Sequence, residues 1–380
     1  MNTIDFERSG VRSTEQRREA SIEKARRAVM TYGWNSTSYQ ILNPGISHWF
    51  SVTNNAVTGF VACKGVLVVA GAPVSTAETL KEVAAEFERY AAKGNNRVCY
   101  FGAESRLEAI YSNSPNHAKV LLGAQPVWSP RNWEKIVAEH GSIRSQLNRA
   151  RNKGVQVAAW PSEKVHDSQV LLDTLKAWLA SKGLPPLTFM VEPNTLSRVN
   201  DRRVFVATRG DEVVGFVLLS PIATRNGWLF EQFVHTPGSP NGTVELMIDF
   251  AMRSLADDGA EYATLGLSPL SRRAQIDPFR NPLWLRIFLT WMGKHGQRFY
   301  NFDGLDAFKA KLRPESWEPI FAISNVPRFS FRTLRSIAAS FSGNAPARLF
   351  FAGLWRAFAT EIKWLRNALA SSMVRGVISK

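Results

Sequence analysis

Apolar positions along the chain fall into two alternating rhythms. Turn-bounded runs such as FVACKGVLVVA, RVCYFGA and HAKVLLGAQPVW have the length and β-branched content of strands, whereas AETLKEVAAEFERYAAKG and ESRLEAIYSN repeat at helical spacing. The succession then returns. After the helical NWEKIVAEHGSIRSQLNRARNKG come a strand over VQVAAWP, the helix DSQVLLDTLKAWLASKG, and the hairpin VFVATRGDEVVGFVLLSPI turning at Gly210 and Asp211. A strand over FEQFVHT, a helix from Thr243, the strand EYATLGLSPL, the helix PLWLRIFLTWMGKHG and strands over RFYNF and WEPIFAIS complete it. This order predicts an α/β fold with mixed sheets (α+β in its strand mixture) in two like domains. The expected boundaries are a charged helix or arm over 1–28, domains over 29–154 and 155–325, and a basic amphipathic helical tail over 326–380.

One junction carries candidate chemistry. In HTPGSPNGTVELMIDFAMRSL a Pro/Gly/Asn-rich turn leads from a strand into a helix with Glu245 in its first turn. The free N–H groups and dipole at such a helix start favour an anion, so the backbone of Asn241, Gly242 and Thr243 is a candidate holder of a phosphate or an oxyanion. The plainer alternative makes Asn241 or Thr243 an N-cap and Glu245 a dipole partner.

Composition narrows the function classes. The 47 Lys and Arg against 32 Asp and Glu give a net charge of +15, which points to a polyanionic partner, nucleic acid or an anionic membrane. Cys63 and Cys99 sit in apolar runs as small hydrophobes, which excludes a disulfide framework and fits a reducing compartment. The six His are scattered without metal-ligand spacing, so no metal is expected. The N-terminus lacks the apolar core of a signal peptide, and no apolar run is long enough to span a bilayer.

Two basic surfaces stand out. The segment GSIRSQLNRARNKG holds Arg144, Arg149, Arg151 and Lys153 and no acid; as a helix it puts Arg144 and Arg151 on one face, suited to a phosphate backbone or merely solvated. From Asn325 onward the tail holds nine basic residues and one acid. A helical projection there gathers Arg348, Arg356, Lys363 and Arg366 beside an apolar arc that includes Trp355 and Phe358, the pattern of an interfacial membrane helix or of a helix docked on its own domain.

The order of elements resembles the N-acetyltransferase-like acyltransferase fold used in tandem. More specifically, PNGTVELMIDFAMR, YATLGLSPLS and RFYNFDGLDAFKAKLRPESWEPIFAI, with SIRSQLNRARNKGVQV upstream, resemble the cytosolic catalytic domain of the phosphatidylglycerol lysyltransferase family of the multiple peptide resistance factor type, over residues 35–325. The resemblance implies aminoacyl transfer from aminoacyl-tRNA to a lipid hydroxyl, of phosphatidylglycerol type, at the cytoplasmic face of the membrane. It implies no diffusible cofactor and leaves open a separate membrane flippase as a further partner, while peripheral attachment to an anionic lipid surface is the role the basic amphipathic tail suggests. Carried over residue by residue, it makes Glu231 and Glu245 candidates for the donor's ammonium group, and Lys309 and Lys311 candidates for phosphate or oxyanion contacts, flanked by Asn301 and Arg313. Where the family has an Arg after its strand acid, this chain has Val234; the adjacent His235 is a candidate donor or proton acceptor. An acyl-CoA-dependent N-acyltransferase, and a non-catalytic membrane- or RNA-binding protein on the same fold, are the alternatives.

Overall fold

The computed structural model describes residues 3–181, 188–274, 281–286 and 302–342, with side chains from Glu15 onward. The first half runs α1 (Thr3–Tyr32), β1 (Ser47–Phe50), β2 (Val57–Cys63), β3 (Val66–Ala70), α2 (Leu80–Lys93), β4 (Arg97–Ala103), α3 (Ser105–Tyr111) and β5 (Ala118–Trp128). Helices α4 (Trp133–Glu139) and α5 (Gly141–Asn152) lead into β6 (Val155–Trp160), α6 (Ser162–Val165), α7 (Gln169–Ser181), β7 (Arg203–Arg209), β8 (Glu212–Ile222) and β9 (Gly227–His235). The rest comprises α8 (Thr243–Asp257), β10 (Tyr262–Thr264), β11 (Ser268–Pro269), α9 (Phe302–Lys311), β12 (Ser316–Ser324) and α10 (Phe331–Ser342).

One mixed sheet takes in strands of both halves, in the order β1-β2-β3-β4-β12-β5-β10-β9-β8-β7-β6, with β11 paired to β5. The mixed α/β character expected from the pattern is found, and so is the repetition. In the first half β2 and β3 pair antiparallel and α2 crosses to a parallel β4; in the second β8 and β9 pair antiparallel and α8 crosses to a parallel β10. The halves exchange their last strands. β5 lies antiparallel beside β10 of the second half, β12 lies antiparallel beside β4 of the first, and β5 and β12 pair with each other from Ser316↔Val127 to Ser324↔Ala118.

Two sequence expectations change in detail. The helical segment before β6 breaks at His140, whose backbone is extended and whose ring Nδ1 binds the Ile136 carbonyl, so α4 and α5 are separate helices. Phe302, expected at the end of a strand, instead opens α9, a helix the periodicity did not announce because its apolar and charged residues are poorly segregated.

The largest core cluster joins Trp128, Trp133, Ile143 and Leu147 to Phe230 and to Leu246, Met247 and Ala251 of α8, so α4, α5 and α8 cover one face of the second-half sheet. A second cluster, with Leu171 and Leu175 of α7 and Val234 of β9, covers the opposite face. At the start of α8 the chain passes close to α5. Gly242 has φ +93°, and a Cβ there would lie 2.2 Å from the Gln146 carbonyl oxygen. Gly242→Ala therefore combines a left-handed backbone with a backbone clash and is expected to cost at least about 2 kcal/mol; a thermal melt indistinguishable from wild type would contradict this packing.

Candidate active site

The parallel pair β9–β10 is short. Hydrogen-bonded register covers only Gly227–Leu229 against Tyr262–Thr264, while β9 continues to His235. After Thr264 the chain turns at Gly266, φ +69°, and leaves to pair as β11 with β5. The two strands part beyond Leu229, and α8 begins just past the end of β9.

Helix α9 lies against this parting. Lys309 Nζ donates to the Gly266 carbonyl at 2.8 Å and to the Leu267 carbonyl at 3.0 Å, and Lys311 Nζ donates to Glu245 Oε1 at 3.1 Å. One helix thus touches both the chain leaving β10 and the first turn of α8. Lys309 is 4% exposed. Burial lowers its ammonium to about 7 from the ordinary 10.5, with the Asp306 charge acting in the other direction. Asp306 Oδ2 accepts from Arg273 Nε at 2.7 Å, whereas Asp306 Oδ1 and Ser268 Oγ are buried without a hydrogen-bond partner among the described residues.

Glu231 sits elsewhere. The β8–β9 register passes from Leu219↔Phe230 to Leu218↔Gln232, which leaves Glu231 as the extra residue of a β-bulge. Both its carboxylate oxygens accept from Arg202, each at 3.0 Å, and Arg202 Nη1 also donates to the carbonyls of Thr195 and Arg198. The Arg202 guanidinium stands over the Tyr39 ring, Tyr39 Oη donates to Asp201, and Asp201 is held by Arg26 of α1. Gln232 Oε1 accepts from Thr195 Oγ1 on the same side. These partners cover the α7 face of the sheet, whereas Glu245 belongs to α8 on the opposite face. Lys311 thus meets Glu245, with Lys309 two residues earlier on the same helix, whereas Glu231 is held by Arg202 on the α7 face.

The other expected site residues are distributed as follows. His235 Nδ1 is bonded to Ser239 Oγ at 3.2 Å within its own loop. Asn241 is exposed, and the Thr243 N–H is spent on the Pro240 carbonyl. Arg313 is exposed at φ +55° just after α9. On α5, Arg144 donates to the carbonyls of Val137 and Ala138 at the end of α4, and Arg151 pairs with the buried Asp249 at 2.9 Å. Both remain exposed, and Arg144 shares a surface groove with Arg149 and Lys153, which lie one turn apart with Asn148 and Asn152. Asn301 and the tail residues Arg348, Trp355, Arg356, Phe358, Lys363 and Arg366 lie outside the described residues.

Sequence reading missed a buried network at the seam between the halves. Arg225 Nη1 donates to Glu318 Oε2 at 3.0 Å, its guanidinium stacks over both Trp34 and Tyr262, and Glu318 also accepts from Tyr262 and Gln125. Glu104 accepts from the Ser36 N–H and Oγ, and burial pushes its carboxyl up against the opposing pull of Arg225 and Ser36. These residues are far apart in the chain and share no spacing, so only the strand exchange brings them together.

The family model described as phosphatidylglycerol lysyltransferase, C-terminal, matches residues 26–324. The chain belongs to the phosphatidylglycerol lysyltransferase C-terminal family. The fold agrees with two solved structures. The C-terminal domain of a proposed lysylphosphatidylglycerol synthetase from Agrobacterium fabrum is 20% identical, with a TM-score of 0.73 over 86% of this chain and 99% of that one. L-PGS from Bacillus licheniformis is 17% identical, with a TM-score of 0.69 over 84% of this chain and 95% of that one. No curated protein matches the chain in sequence.

The phosphatidylglycerol lysyltransferase family consists of transferases that attach an aminoacyl group to a lipid, and membership confirms the resemblance carried by the helix start and the Lys-rich motif. Val234, where the resemblance expects an Arg, is fully buried in the α7-face cluster. The guanidinium beside the strand acid comes instead from Arg202, whose place at the head of β7 gave no sequence signal.

Two measurements check this geometry. Glu231→Gln strands the buried Arg202 charge and is expected to cost about 3 kcal/mol in urea unfolding. Glu245→Gln, whose partner Lys311 is 35% exposed, is expected to cost under about 1 kcal/mol; equal losses would contradict the difference in burial. For Lys309 the unfolded chain holds its proton to about 10.5 and the folded chain only to about 7. The unfolded state binds more protons between those values, so wild-type stability relative to Lys309→Met is expected to rise as pH is raised from 7 to 10. A flat difference would mean the ammonium is not destabilised by burial.

Proposed function

We propose that the protein transfers an aminoacyl group from aminoacyl-tRNA to a hydroxyl of an anionic phospholipid of phosphatidylglycerol type, working peripherally at the cytoplasmic membrane face. The observation that carries this reading is the convergence of Lys309, Lys311 and Glu245 where β9 and β10 part, in a chain whose family attaches amino acids to lipids. A parted parallel pair gives an extended substrate a slot between strands, with the first turn of α8 at one side. Glu245, the acid of that turn, receives the donor's α-ammonium, and Lys311 then turns its charge to a phosphate of the tRNA terminus or of the lipid. The donor is already an activated ester, so positioning and charge compensation supply most of the rate.

The exposed face of α5 supports the tRNA part. Arg149 and Lys153 lie one turn apart with no acid on the helix, and α5 packs directly against the start of α8. The turn after α5, at Lys153 and Gly154, joins this helix directly to β6.

The test is transfer itself. Purified protein is incubated with radiolabelled aminoacyl-tRNAs and anionic vesicles, and the lipid is extracted. Label is expected in the lipid phase with wild type, reduced about 100-fold in Glu245→Ala, and reduced with a shallower salt dependence in Arg149→Ala/Lys153→Ala. Vesicle binding by wild type without label in lipid would overturn the lipid-acceptor reading.

A further inference from the structure

We propose that Lys309 is the proton carrier of this transfer: its amine takes the proton of the acceptor hydroxyl and returns it to the ribose oxygen that leaves. The inference rests on the transfer reading above and adds a role for one atom.

The geometry around Nζ suits a neutral amine. A neutral amine has two N–H groups and one lone pair, and the two carbonyls of Gly266 and Leu267 satisfy both N–H groups. The lone pair is then directed away from them. An ammonium would carry a third N–H, and no third acceptor lies within hydrogen-bond distance among the described residues. The surroundings agree. The side chain is almost wholly buried, and the nearest acid, Asp306, one turn earlier on α9, has one oxygen committed to Arg273. The other charged groups bordering the site, Glu245 and Lys311, are paired with each other. Burial therefore outweighs Asp306, and the amine loses its proton near neutral pH.

Location is the second support. Gly266 and Leu267 form the turn by which the chain leaves β10, so their carbonyls hold Nζ at the parting of the strands. Ser268, the next residue, is fully buried with its hydroxyl unpartnered among the described residues. Of the other candidate bases, Glu231 has both oxygens taken by Arg202, and His235 has its Nδ1 bound within its own loop, away from the Gly266–Leu267 turn in sequence and in hydrogen bonding.

The step balances. The acceptor O–H bond breaks as a third Nζ–H bond forms, and the freed oxygen pair adds to the aminoacyl carbonyl carbon. When the tetrahedral intermediate collapses, the bond from carbonyl carbon to ribose oxygen breaks, and that oxygen takes the proton from Nζ. Lys309 ends neutral, and no oxidant or metal is consumed.

The experiment compares wild type, Lys309→Ala, Lys309→Arg and Lys309→Met in the vesicle transfer assay across pH 5.5–9, with circular dichroism to establish folding. Wild-type kcat/KM is expected to rise with pH along a one-proton limb with its midpoint near 7. All three variants are expected to lose about 100- to 10,000-fold. Methylamine and ethylamine should restore activity to Lys309→Ala, the more basic amine more strongly, and should not restore Lys309→Arg, whose side chain fills the space. Folded Lys309→Met with activity within a few-fold of wild type and the same acid limb would overturn the proposal. So would a Lys309→Ala loss that no amine repairs, since that marks a structural or purely electrostatic role. Failure of the wild type to label any lipid would be a different result, removing the transfer reading and this one with it.

Discussion

The pairing of β12 between β4 and β5 is the constraint on which the site depends. In chain order β12 ends the second half, and by hydrogen bonding it belongs as much to the first. Helix α9 precedes it by a four-residue turn, so anchoring β12 also anchors the helix that carries Lys309 and Lys311. The same strand supplies Glu318, which ties Arg225, Tyr262 and Gln125 across the seam. A buried Arg with acids on one side and aromatic faces on both is well compensated only while the halves remain in register, so the network reinforces the strand exchange that creates it.

The repeated architecture is used in two ways. In the first half the parallel pair stays together along β3, Val66–Ala70 against Arg97–Phe101, and the segment after α1 closes its end. Asn35 Nδ2 donates to the Gly102 carbonyl, Ser36 binds Glu104, and Thr37 Oγ1 is so near Gly71 that a Cβ there would lie 2.5 Å away. In the second half the corresponding pair parts after three residues, and Lys311 of α9 bonds Glu245 of α8 nearby. One copy is closed by its own chain, and the other is the one to which the proposed transfer assigns the substrate.

Much of this was legible in the sequence. The two rounds of hairpin, helix and strand followed from β-branched runs and helical periodicity, because both halves bury one face of each element. The α8 junction was legible because Gly242 and Glu245 mark a helix start, and the Lys-rich motif was legible through family resemblance. What could not be read depends on pairing at long range. The bulge at Glu231 breaks the alternation of β9, and no local pattern in FEQFVH announces it. Arg202, just before β7, is the guanidinium that meets Glu231, and Arg144 and Arg151, though exposed, also bond a helix end and a buried acid that sequence spacing does not reveal.

The most direct measurement is a crystal structure with a 3′-aminoacylamido-adenosine, in which an amide replaces the labile ester of the donor terminus. The expected result places its carbonyl between the free edge of β9 and the Gly266–Leu267 turn, within about 3.5 Å of Lys309 Nζ, with the α-ammonium about 3 Å from Glu245. An analogue bound against Glu231 and Arg202, or in the first half beside Trp34, with Lys309 and Glu245 untouched, would contradict the placement of the active site.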